Sequence, residues 1–140
     1  MNVAYAASAY PLGALSDRTD RSVILGVGLI VLVAADLMLA LTSSWIGLAA
    51  GIALWGIHLG CTQGLLSALV ADAAPEDLRG TAFGVFYLVT GAALLGASFL
   101  AGLIWDVAGP SATFATGAGL AGVTLVVLLA ARWKTAPQTK

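Results

Sequence analysis

Gly13-Ala-Leu-Ser-Asp-Arg-Thr-Asp-Arg21 packs four charged side chains, Asp17, Arg18, Asp20 and Arg21, into five consecutive positions of a chain that is only 9% charged. Apolar runs flank the stretch on both sides, and the 140-residue sequence is 60% hydrophobic. A soluble domain of this length has too little interior to hide that much apolar surface. Composition therefore points to an all-α membrane protein in contact with the lipid bilayer. The charged stretch reads as a loop pinned at the membrane surface, and it orients everything that follows.

Working outward, five apolar runs can be marked at about 3–15, 23–42, 45–71, 81–105 and 111–132. A spanning helix needs about 20 residues to cross about 30 Å of hydrocarbon. Four runs meet that length. The first, at about 20 Å, reads as the end of a helix whose beginning lies outside the chain. Four crossings after Arg21 put the loops at 13–22 and 73–80 and the C-terminus on one side. Arg18, Arg21, Arg79, Arg132, Lys134 and Lys140 all fall there, and they are every Lys and Arg in the sequence. That side is expected to be the cytoplasm. Trp45 and Trp105 mark the outer boundary and Trp133 the inner one, where indole rings favour the headgroup region.

Turn chemistry agrees with these limits. Gly109-Pro110 ends one helix and starts another. Pro75, Glu76 and Asp77 open a short turn with acids at its start, and Gly80-Thr81 supplies a joint and a capping hydroxyl before the fourth run. The runs at 23–42 and 111–132 are rich in Val, Ile and Leu and suit lipid contact. Those at 45–71 and 81–105 carry more Gly, Ala, Ser and Thr and suit close packing, so the latter pair is expected to be central.

Much chemistry is excluded. A net charge of −1 without a basic cluster gives nucleic acid no landing surface. The lone Cys61 allows neither a disulfide nor a cysteine metal site within one chain, and no cofactor is expected. Met1 to Tyr5 lack the basic start of a cleavable signal peptide. One histidine and no close pair of intramembrane carboxylates leave little for an enzyme.

The motifs carry a resemblance. Gly13, Leu15, Asp17, Arg18 and Arg21 match the loop signature of the major facilitator superfamily of transporters, with Asp20 in place of the usual Gly and Ser22 in place of a basic residue. Pro75-Glu-Asp-Leu-Arg-Gly-Thr-Ala-Phe-Gly84, leading to Gly91 and Trp105-Asp106, is similar to the entry and body of the eleventh helix of bacterial members. The resemblance implies the partial six-helix half of such a transporter, from the end of helix eight through helix twelve: four complete transmembrane helices plus the end of a fifth. It also implies a small-molecule substrate, alternating access, and about seven further helices, including the whole N-terminal half, as partners. The chain is thus expected to be a fragment inactive by itself. The alternatives are a complete four-helix homo-oligomeric transporter and a non-functional remnant.

Candidate site residues follow. The resemblance gives Gly13, Leu15, Asp17, Arg18 and Arg21 a gating role on the cytoplasmic side, with Asp17 meeting a helix end of the other half. The second loop, Pro75, Glu76, Arg79 and Gly80, with Asp72 and Asp77, reads as a solvated loop with helix-end charge matching. His58 lies near mid-membrane with Trp55 and Thr62 on its face, while Gln63 falls on the other side with Gly56, Gly60 and Gly64. An ionisable group at that depth is a candidate for proton coupling, and a neutral histidine bonded between helices is the alternative. Asp36 sits about 10 Å inside the outer boundary with no Lys or Arg on that half to pair with it. It is a further coupling candidate, protonated, turned toward the bundle, or partnered from outside the chain.

Overall fold

The computed structural model describes residues 1–16 and 19–135. Those residues form helices α1 (Asn2–Ser16), α2 (Arg21–Leu41), α3 (Trp45–Ala73) and α4 (Arg79–Thr135), with a 3₁₀ turn over Glu76–Leu78 and, among the described residues, no strand. Three segments are long and apolar enough to cross a membrane: Arg21–Leu41, Trp45–Ala73 and Glu76–Trp133.

Local chemistry sets the helix ends. Asp20 caps α2 by accepting from the Ser22 backbone N–H at 2.8 Å, and Ser44 caps α3 by accepting from the Gly47 N–H at 3.0 Å. Ala74, ahead of Pro75, is extended at φ −97, ψ 133, which stops α3. The turn at Glu76–Leu78 then feeds straight into α4 at Arg79. Thr81 is consequently inside the helix and caps nothing, contrary to its expected role, because the turn already supplies the first helical dihedrals.

The 57 residues of α4 would run about 85 Å if straight, far beyond one bilayer. Gly109, at φ 83 and ψ 175, breaks it into arms at 79–108 (α4N) and 110–135 (α4C). The interval 106–110 between the last two apolar runs thus shrinks to a single non-helical residue. Trp105 and Phe114 meet edge to face across the break, their ring centres 6.2 Å apart.

Contacts define the arrangement. On α3, Gly56 faces Met1, Ala4 and Tyr5, and Gly60 faces Ser8 and Ala9, so α1 and α3 run parallel. Gly28 of α2 faces His58, Cys61 and Thr62, while Gly51 of α3 faces Leu39, so α2 and α3 run antiparallel. Gly26 meets Leu128 and Gly117 meets Asp36, which sets α4C antiparallel along the other side of α2.

The order of burial departs from the composition reading. Within the described residues α2 is the middle helix, burying Ile24, Gly26, Gly28, Leu29, Ala35, Asp36, Leu39 and Ala40 between α3 and α4C. Residues 91–100 of α4N are all exposed. Small residues placed singly on α2 admit neighbours on two sides, whereas a Cβ added at Gly84, Gly91, Gly96 or Gly102 of α4N would meet none of the described residues.

Candidate functional site

Two polar clusters emerge, one at the charged ends of the helices and one within the bundle. At the ends, Arg21 binds Asp72 at the close of α3, and Arg132 near the close of α4C donates to Asp20 at 3.1 Å. One end of the bundle therefore gathers the start of α2 and the ends of α3 and α4C. Asp72 is not part of a merely solvated loop, because antiparallel packing delivers it to Arg21. These pairs are solvent-exposed, so each contributes little energy; their value is positional.

Asp20 is the best-held group at this end. Its carboxyl sits below the ordinary aspartate range, first because the Ser22 hydroxyl donates to it, then through the Ser22 backbone N–H, with the Arg132 guanidinium adding a smaller pull. The two departures from the family motif, Asp20 and Ser22, thus bond to each other, at 2.6 Å between hydroxyl and carboxylate. The spacing of an N-cap could have suggested this. The partnership with Arg132, 112 residues away, left no sequence signal.

Of the expected gating residues, Gly13 and Leu15 lie in the last turns of α1 and Arg21 opens α2. Asp17 and Arg18 lie outside the described residues. Pro75 leads the 3₁₀ turn that holds Glu76, and Arg79 and Gly80 begin α4, all four exposed.

Within the bundle, α3 presents Trp55, His58 and Thr62 to α2. The Trp55 indole N–H donates to Asp36 Oδ1 at 2.8 Å. His58 Nδ1 lies 2.8 Å from the Gly28 carbonyl. A carbonyl only accepts, so Nδ1 carries the proton. Thr62 is buried and donates back to the His58 carbonyl at 3.0 Å. His58 therefore bonds between helices as a seam residue. Gln63 is exposed on a face that neither α1 nor α2 covers.

Asp36 is 4% exposed. Its carboxylate is turned into the bundle, bonded to Trp55 and seated on Gly117, where an added Cβ would come within 2.8 Å of Oδ2. A charge at mid-membrane costs about 2.5–3.5 kcal/mol on insertion scales, and one neutral donor offsets only part of that. Beside it lies an apolar cavity of about 260 Å³, lined by Met1, Leu39, Ile52, Trp55 and Phe114. Among the described residues no group of His, Cys, Asp and Glu could hold a metal ion. Gly117 escaped sequence reading because nothing local marks which glycine faces an acid 81 positions earlier.

Comparison with known proteins places these features in context. The Major Facilitator Superfamily profile matches residues 1–140. An uncharacterized MFS-type transporter of Methanocaldococcus jannaschii is 38% identical over 128 residues, covering 91% of this chain and 32% of the relative. The chain thus spans about a third of that relative's length. No solved structure matches.

Proposed function

The chain belongs to the major facilitator superfamily of transporters, and on that premise we propose that it is the C-terminal part, the end of helix eight through helix twelve, of a secondary active transporter. The family match along all 140 residues carries the transporter reading, and the motif departures at Asp20 and Ser22 together with the stretch at 75–84 favour the C-terminal placement. The transporter moves a small molecule by alternating access, and proton-coupled efflux is the mode proposed. It sits in a bacterial cytoplasmic (inner) membrane with its C-terminus inside, as the placement of every Lys and Arg favours.

The packing supports a division of labour. α2 and α3 are tied by the Arg21–Asp72 pair and by the Trp55–Asp36 and His58–Gly28 bonds and move as one body, while the Arg132–Asp20 pair holds α4C to them at one end. The exposed face of α3 carrying Gln63 and the uncovered arm α4N are the surfaces that meet the substrate path and the N-terminal helices. The loop at 13–21 governs closure at the cytoplasmic side through Asp17.

The test is transport by the chain expressed with all in-frame upstream coding sequence, in everted vesicles monitored by a pH-sensitive dye while candidate substrates are added. Substrate-dependent proton movement is expected, and Asp17→Asn should lower it sharply at unchanged expression. No proton movement with any substrate, alongside accumulation driven by another ion, would remove proton coupling. An unaltered rate in Asp17→Asn would remove the gating role.

A further inference from the structure

Asp36 is the one Asp, Glu, Lys or Arg within the span 23–42, and the runs 45–71, 81–105 and 111–132 hold none short of their last residue. It is buried where α2, α3 and α4C meet, and the ion pairs between described residues, Arg21–Asp72 and Arg132–Asp20, lie at the other end of α2. Its two oxygens are unlike. Oδ1 accepts from the Trp55 indole, and Oδ2 lies against Gly117 of α4C, where only the absence of a Cβ leaves room. The nearest titratable groups on the elements packed around it are His58, one turn beyond Trp55, and Cys61, both on α3; Asp72, Arg21 and Arg132 lie at the far end, and Met1, which bears the chain's amino group, lines the cavity beside Trp55. Residues 110–131 of α4C carry none.

We propose that Asp36 is a proton-binding site whose access is controlled by the packing of α4C at Gly117. With the seam closed, a carboxylate would have one neutral donor and, among the described residues, no Lys or Arg beside it, so the acid form occupies it. The proton resides on Oδ2, while Oδ1 keeps the indole bond. When α4C lifts from α2, water reaches Oδ2, and the proton leaves to it as the carboxylate becomes hydrated. Protonation and closure of the seam are therefore one linked equilibrium, and the linkage runs both ways. The site deepens the proton-coupled reading and rests on it for the use made of the proton, but not for its binding.

Infrared spectroscopy of the full chain in lipid nanodiscs at neutral pH tests the site without any substrate. The expected result is a carboxylic-acid C=O band that Asp36→Asn removes and that His58→Gln leaves in place. A spectrum in which Asp36→Asn removes a carboxylate band instead would overturn the proposal. Access is tested with Gly117→Ala, and with the larger Gly117→Leu if the first leaves the seam closed. In a variant that keeps the wild-type elution volume and helix content, the acid band should give way to a carboxylate band as the seam is wedged open. An unchanged acid band in a folded Gly117→Leu chain would sink the gating by α4C. Absence of substrate-dependent proton movement in the vesicle assay with the upstream coding sequence would leave all these readings intact and would count against the proton-coupled reading alone.

Discussion

Asp20 shows how much a single residue can do at a membrane surface. It caps α2, receives the Ser22 hydroxyl and holds Arg132, so one side chain joins the first loop to the end of the last helix. Its depressed carboxyl gives a signed prediction. Such a group adds stability above the unfolded value, about 3.9, and that contribution is lost as pH falls through the folded value. Asp20→Asn, which keeps the cap but not the charge, should melt below wild type at neutral pH. The gap should close on acidification below about 3.9. Thermal unfolding in detergent at several pH values measures it, and a gap that persists in acid would show that the charge is not what matters. Arg21 was legible as a loop residue, but its partner Asp72 was not, because the pairing depends on which way α3 returns.

At the scale of elements, α4 is the informative case. Hydropathy divides it into two runs, and Gly109-Pro110 marks the division point. The structure makes the break with one residue, since φ 83 with ψ 175 lies in a region nearly reserved for glycine. Gly109→Ala should cost about 1–3 kcal/mol of stability, read as a lower melting temperature in detergent, with loss of the Trp105–Phe114 contact visible in Trp105 emission. Unaltered melting would mean that the backbone there relaxes freely. On α3 the four-residue glycine spacing was legible as close packing. The structure assigns Gly51 to α2, and Gly56 and Gly60 to α1, so a regular stripe serves two neighbours.

At the scale of the molecule, the ends of α1, α3 and α4C and the start of α2 gather at one end, and Ser43 and Ser44 lie at the other. In a Cys61→Ala background, Ser43→Cys should react with a membrane-impermeant maleimide in intact cells. Asp77→Cys should react only after permeabilisation. The reverse pattern would invert the orientation read from the basic residues. The uncovered arm α4N, apolar along its length and exposed throughout residues 91–100, belongs to this scale too. Its surface needs lipid or other helices as neighbours.

Composition and periodicity by themselves determined that the chain is helical and that it lies in a membrane, and they set the expectation for its spans and for the side on which its basic residues collect. These follow from the cost of placing apolar side chains in water and charges in lipid, which each residue carries wherever it sits. The motif residues also pointed to the family that the whole chain matches. Only the tertiary structure decided that α2 is the middle helix, that His58 bonds a backbone carbonyl, and that Asp36 is held by Trp55 against Gly117. Those contacts depend on which helices are neighbours and in what register. In a membrane, packing chooses neighbours by shape, and one apolar face looks much like another in the sequence.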